Sequence, residues 1–156
     1  MELRPSKENF DSFVGARFIS SNFLQSSIWQ DFLKAQKKNF WQLAVIDNNE
    51  VIATCLLYEN KLPFGRSYLF APKGPIISDK ISDVQKKEAL ELILSKARDV
   101  TIETKKHQEI FFKLEPESKR GLVTKLKKSS DIHPRDTLVL DICADEKELL
   151  GQMHQK

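Results

Sequence analysis

The sequence predicts an α/β (α+β) fold, a central sheet flanked by helices, and three observations carry that reading. Two amphipathic helical segments open the chain, a run of period-two apolar segments follows at residues 40–71, and a long helical stripe then leads into a further strand. The elements read α, α, β, β, β, α, β, α, β. Between the third strand and the long helix lies Leu69, Phe70, Ala71, Pro72, Lys73, Gly74, Pro75, Ile76, Ile77, a proline-bounded turn where a phosphate-binding loop would normally offer free backbone N–H groups.

Residues 7–17 place Phe10, Phe13 and Val14 on one helical face. Ser27 with Gln30 predicts a capping box for the second helix, with Trp29, Phe32 and Leu33 at i, i+3, i+4 spacing. The period then changes to two. Phe40–Asp47 and residues 51–59 are rich in β-branched and aromatic side chains, and Asp47, Asn48, Asn49, Glu50 between them predict a hairpin turn. Arg66–Ala71 is a third strand, reached through Pro63, Phe64 and Gly65. Ser82 and Gln85 make another capping box, before a stripe of Leu90, Ile93, Leu94 and Ala97 that runs to about residue 100 as the longest helix. Residues 109–114 read as a strand stopped by Pro116, and residues 118–127 as a basic helix with Leu122, Val123 and Leu126 on its inner side. Residues 137–142 read as a last strand, and Asp145 caps a final helix carrying Leu149, Leu150 and Met153. That helix has no C-terminal cap, so residues 1–144 are expected to form one domain and residues 145–156 the start of a helix leading into a second.

A chain of 156 residues with 40% hydrophobic and 30% charged residues has the composition of one globular domain, able to bury roughly 70% of its unfolded surface. Net charge is +3 overall, but between Lys105 and Lys128 eight Lys/Arg face three Asp/Glu, an excess of +5. A solvated helix face explains such a run, and an anionic partner such as RNA or phosphate is the alternative. Cys55 and Cys143 stand in or after apolar strands without ligand or pairing motifs and read as buried small hydrophobes. No secretory leader pattern and no apolar run near 18 residues is present, which predicts a cytoplasmic protein, with membrane-surface association as a further expectation.

The motifs of zinc proteases, serine hydrolases, P-loop NTPases and dinucleotide-binding domains are all absent. His107, His133 and His154 are scattered in predicted loops or near the terminus and read as surface residues, so no metal site is expected. Glu115 is the candidate catalytic residue, because it ends a strand at a strand-to-helix junction, the edge where open α/β sheets expose their ligand crevices. There it can accept or orient the proton of an attacking amine. The competing reading is that Glu115 caps the following helix or bonds loop N–H groups. Lys73, between Pro72 and Gly74, carries its ammonium on a stiffened turn and can meet a phosphate; an ordinary exposed loop lysine is the alternative. Trp29 has the spacing of a core residue.

Together, Phe23, Leu24, Gln25 and Ser26, then Trp29, the Pro72, Lys73, Gly74, Pro75 segment, the strand end Phe112, Lys113, Leu114, Glu115, Pro116, and Asp136, Thr137, Leu138, Val139, Leu140, Asp141 resemble the FemABX family of peptidoglycan bridge-forming aminoacyltransferases. The order of these elements, through Glu148, Leu149, Leu150 and Met153, makes the resemblance specific. It implies the first half of a tandem GNAT-like fold with a mixed central sheet. The implied reaction moves an amino acid from aminoacyl-tRNA onto the stem-peptide amine of a peptidoglycan precursor, lipid II or UDP-MurNAc-pentapeptide, with no cofactor. The partners implied are that tRNA, that precursor and a C-terminal half of the same protein. Glu115 falls where the family has an acidic residue, and Trp29, Lys34, Lys73 and Gly74 are the candidate substrate-binding residues. In some members a lysine directly follows the tryptophan; here Gln30, Asp31, Phe32 and Leu33 intervene before Lys34. The isolated chain is expected to be inactive. A non-catalytic module that binds precursor or RNA is the competing class, and an acetyl-coenzyme A-dependent acetyltransferase is a third, disfavoured by the loop prolines.

Overall fold

A computed structural model describes residues 1–4, 10–15, 22–104, 108–116, 126–127, 129–130, 132–133 and 143–152. Its centre is the hairpin of strands β2 (Phe40–Asp47) and β3 (Glu50–Leu62), paired antiparallel from Phe40↔Tyr58 to Asp47↔Glu50. Asn48 and Asn49 turn it with φ of 48° and 64°, the left-handed pair that a type I′ hairpin needs and that asparagine tolerates. Among the described residues the sheet has six strands and runs β1-β2-β3-β4-β6, with β1 at Glu2–Arg4, β4 at Arg66–Ala71 and β6 at Gln108–Leu114. All pairs on this path are antiparallel except β4 with β6, which is parallel. The two-residue strand β5, Ile76–Ile77, pairs with β3 at Ala53 and Thr54. Neither β1 nor β5 is foreshadowed by the sequence, since two or three residues hold no measurable period.

Helix α3 (Asp83–Thr104) makes the crossover between the parallel strands. Its start is the reciprocal box expected from the sequence: the Gln85 N–H donates to Ser82 Oγ at 3.3 Å and the Ser82 N–H donates to Gln85 Oε1 at 3.1 Å. Ala89, Ile93 and Ala97 of α3 pack with Leu43, Val45, Cys55, Leu57, Leu69 and Ala71 of the sheet. On the opposite face lie α1 (Phe10–Gly15), a 3-10 turn at Asn22–Gln25 and α2 (Ser27–Ala35). There Val14 and Leu33 meet Leu56, Tyr58, Phe70 and Ile76, with Trp29, Phe40 and Tyr68 at the margin.

The cap of α2 is Ser26 rather than Ser27. Ser26 leaves the 3-10 turn in extended geometry (φ −99°, ψ 168°), and its Oγ accepts from the Trp29 N–H at 3.4 Å, so Ser27 becomes the first helical residue. Cys143 is exposed rather than buried, because it precedes the cap of the last helix instead of packing under the sheet; Cys55 is buried as expected. Asp145 does cap α4 (Glu146–Gln152), its Oδ1 accepting from the Glu148 N–H at 2.9 Å. Of the expected basic helix, residues 118–125 lie outside the described residues; Leu126 and Lys127 are in no regular element, and Leu126 is exposed rather than inward. The expected strand at residues 137–142, with His107 and His154, also lies outside the described residues.

Candidate functional site

Strands β4 and β6 run parallel and end together, with Ala71 opposite Leu114. Immediately beyond, the Glu115 N–H donates to the carbonyls of Ala71 at 3.2 Å and Gly74 at 3.1 Å. The proline turn is thereby stitched to the end of β6. Pro72 and Pro75 supply no N–H, and the Gly74 N–H points back to the Ala71 carbonyl at 3.4 Å. Lys73 holds φ at 49° and is half-buried.

The turn is clamped from beneath by Gln25, a fully buried polar side chain. Its Nε2 donates to the carbonyls of Pro72 at 2.7 Å and Leu56 at 3.0 Å, while its Oε1 accepts from the Leu56 N–H at 2.7 Å. The reason for this exchange lies in β3. That strand pairs with β5 at residues 53 and 54 and with β4 from Tyr58 onward, so neither register includes residues 55–57. The Gln25 amide fills the gap with the donor and acceptor that a neighbouring strand would have offered. Gly74 makes room for it: a Cβ there would lie 2.6 Å from Gln25 Nε2.

The Glu115 side chain faces the segment at residues 132–133. Oε1 accepts from the Ile132 N–H at 2.9 Å and the His133 N–H at 3.4 Å, and Oε2 lies 2.6 Å from His133 Nδ1. Partial burial pushes the Glu115 pKa up, but hydrogen bonds from the His133 ring and from the two backbone N–H groups outweigh it and hold the carboxyl below its ordinary value. The alternative in which Glu115 bonds loop N–H groups is therefore realised, in combination with a histidine. His133 is not an isolated surface residue: its ring stacks on Phe70 with centroids 5.8 Å apart and planes 9° from parallel. Lys113 Nζ adds a second anchor by donating to the Ser130 carbonyl.

Of the other sequence-selected residues, Gly74 and Lys73 lie beside Glu115 in the stitched turn. Trp29 packs at the edge of the aromatic face, stacked on Phe32 at 4.7 Å and edge-on to Phe23 at 5.7 Å. Lys34 stands exposed at the end of α2 and pairs with Asp31 at 3.1 Å. Sequence reasoning assigned no role to Gln25 and set His133 aside. Gln25 stood only within the segment that carries the family resemblance, and the role of each residue depends on contacts more than fifteen residues away. Among the described residues no group of three or more His, Cys, Asp or Glu can hold a metal ion, and no helix is long and apolar enough to cross a membrane.

Among the described residues, an antiparallel sheet with a parallel pair at β4 and β6, helix α3 as their crossover and the candidate site at the parallel strand ends defines the GNAT-like fold. Solved structures share it. A probable acetyltransferase is 10% identical with a TM-score of 0.52, covering 90% of this chain and 99% of its own. The aminoglycoside 6'-N-acetyltransferase AAC(6')-IG of Acinetobacter haemolyticus, in its apo form, is 12% identical with a TM-score of 0.50, covering 88% and 99%. FemX is 22% identical with a TM-score of 0.54 over 69% of this chain; the match spans 25% of the FemX chain. No curated protein matches. The sequence profile of the FemAB family matches residues 6–154, and the chain belongs to the FemAB family.

Proposed function

We propose that this chain is the first GNAT-like half of an aminoacyltransferase that moves an amino acid from aminoacyl-tRNA to the stem-peptide amine of a peptidoglycan precursor, either lipid II or UDP-MurNAc-pentapeptide. The observation that carries the proposal is the FemAB profile running through nearly the whole chain. Residues 145–156 then lead into the second half, and the work is done in the cytoplasm, at the inner membrane face where the acceptor is lipid-linked. The proline turn supports a donor other than coenzyme A, since Pro72 and Pro75 have no N–H to give a pyrophosphate and Gly74 spends its own on Ala71.

The amine nitrogen attacks the carbonyl carbon of the aminoacyl ester, the nitrogen loses a proton, and the ester oxygen leaves to the ribose. Glu115 serves this at the strand end, with Lys73 and Gly74 in the adjoining turn and Trp29 and Lys34 as candidate contacts to the precursor. Incubating the polypeptide carrying both halves with radiolabelled aminoacyl-tRNAs and each precursor tests the reading. Label should pass to the precursor, and the 156-residue chain alone should transfer none. No transfer from any charged tRNA to either acceptor rejects the activity, and transfer by the isolated chain rejects its being half of the machinery.

A further inference from the structure

Glu115 has the surroundings of a group that holds something else in place. Both carboxylate oxygens are occupied, Oε1 by two backbone N–H groups and Oε2 by an imidazole nitrogen. The His133 ring is fixed on two sides, by Glu115 at Nδ1 and by Phe70 against its face, and the backbone N–H of the residue is tied to the same carboxylate. We propose that His133 is the proton acceptor of the transfer reaction, working through Nε2, and that Glu115 is its positioning residue; the proposal rests on the aminoacyl-transfer reading above.

The chemistry follows from the tautomer. A carboxylate oxygen 2.6 Å from Nδ1 calls for a proton on Nδ1, and in the neutral ring this leaves the Nε2 lone pair as the basic site. Exposure points the same way, since the Glu115 side chain is 12% exposed and the His133 side chain 31%, so the imidazole is the member a substrate can reach. Among the described residues, the charged and titratable groups around the pair are Glu115 itself, Tyr58, which meets Phe70 edge-on and feels the Glu115 charge, and Lys113, which holds the Ser130 carbonyl.

In the step, the neutral amine forms a C–N bond to the ester carbonyl carbon, and the carbonyl π electrons move to oxygen. The proton on the attacking nitrogen passes to His133 Nε2, and the resulting imidazolium faces the Glu115 carboxylate. When the oxyanion collapses, the carbon–oxygen bond to the terminal ribose breaks and His133 returns the proton to that leaving oxygen. No co-reactant beyond the amine and the aminoacyl ester is consumed. This carboxylate–imidazole logic is that of nucleophile-activating dyads, with the substrate amine in place of a protein nucleophile.

Two measurements test it. Ring nitrogen NMR of the chain should show the Nδ1–H form of His133, with a bare Nε2, and that preference should weaken in Glu115→Gln. In the two-half polypeptide, His133→Asn keeps an N–H for Glu115 but has no base; kcat should fall roughly 10²–10⁴-fold with KM little changed. The double variant should be no slower than His133→Asn alone, because the two residues act as a unit. A neutral ring that carries its proton on Nε2 and not on Nδ1 overturns the proposal by itself, without any assay of transfer and even where the variant fails to fold. A wild-type enzyme that transfers while His133→Asn keeps kcat within about threefold overturns it and leaves the aminoacyltransferase reading intact. A wild-type polypeptide that transfers nothing removes both.

Discussion

The two faces of the sheet are made of different materials. Toward α3 the packing is mostly aliphatic and small, Leu43, Val45, Leu57, Leu69, Ala89, Ile93 and Ala97, with Cys55 buried among them and its thiol pushed up to about 12 by desolvation. Toward α1 and α2 the packing is aromatic, Tyr58, Phe70, Trp29 and Tyr68, and it borders the hydrogen-bonded groups Gln25, Glu115 and His133. One face holds by the burial of aliphatic surface, and the other adds buried and half-buried groups whose hydrogen bonds shape the strand ends. Changes under α3 should therefore cost stability with little specificity of effect, whereas changes on the aromatic face should alter the geometry of the strand ends.

Ile93→Ala should give the largest loss of stability, about 2–5 kcal/mol as a cavity in a closed aliphatic layer. Urea unfolding should show it with the Glu115–His133 ring signals unchanged in the folded fraction. Gln25→Leu keeps the volume but leaves the Leu56 N–H and two carbonyls without partners. Its expected cost is about 2–4 kcal/mol, roughly 4–16 °C in melting temperature. Here the chemical shifts of residues 72–74 should move as well, and if they do not, the two faces differ less than their composition suggests.

Gly74→Ala should cost about 1–3 kcal/mol, because the new methyl collides with a buried amide rather than a flexible chain end. In a double-mutant cycle its effect should shrink once Gln25 is replaced by alanine, and additive effects would show that the two do not share a site. A subtler difference should appear in acid. The Glu115 carboxyl is held below its ordinary value, so the stability it contributes is fully present above the unfolded-state value, about 4.3. It is lost as pH falls through the lower folded-state value. Melting curves from neutral pH downward should show wild type and Glu115→Gln converging below about pH 4. The smallest expected effect is none: calorimetry with acetyl-coenzyme A should give no heat of binding, and a micromolar complex would reinstate the acetyltransferase reading.

The hairpin, the long capped helix and the strand ending at Glu115 were legible because each is written locally, in period-two runs, in Ser82 with Gln85, and in Pro116 as a stop. The order of elements together with the FLQS and PKGP segments was enough to suggest the family, as the profile over residues 6–154 bears out. What stayed hidden is non-local. Strand β1 exists because Glu2–Arg4 finds partners in β2 forty or more residues on, and β5 because two isoleucines find β3. The cap moved to Ser26 because the preceding turn left it extended. His133 read as a loop residue since nothing in its neighbours announces a carboxylate eighteen positions earlier.

Gln25 also makes one amide proton a reporter. The Leu56 N–H is held by a side chain from the 3-10 turn rather than by a neighbouring strand. Its exchange with deuterium should therefore follow the undocking of residues 22–25, not the opening of the sheet. The same undocking releases the Pro72 carbonyl. A slow Leu56 proton would mean that the turn beside Glu115 is held shut, and a ligand that loosens or tightens that turn would register at a backbone position it never touches.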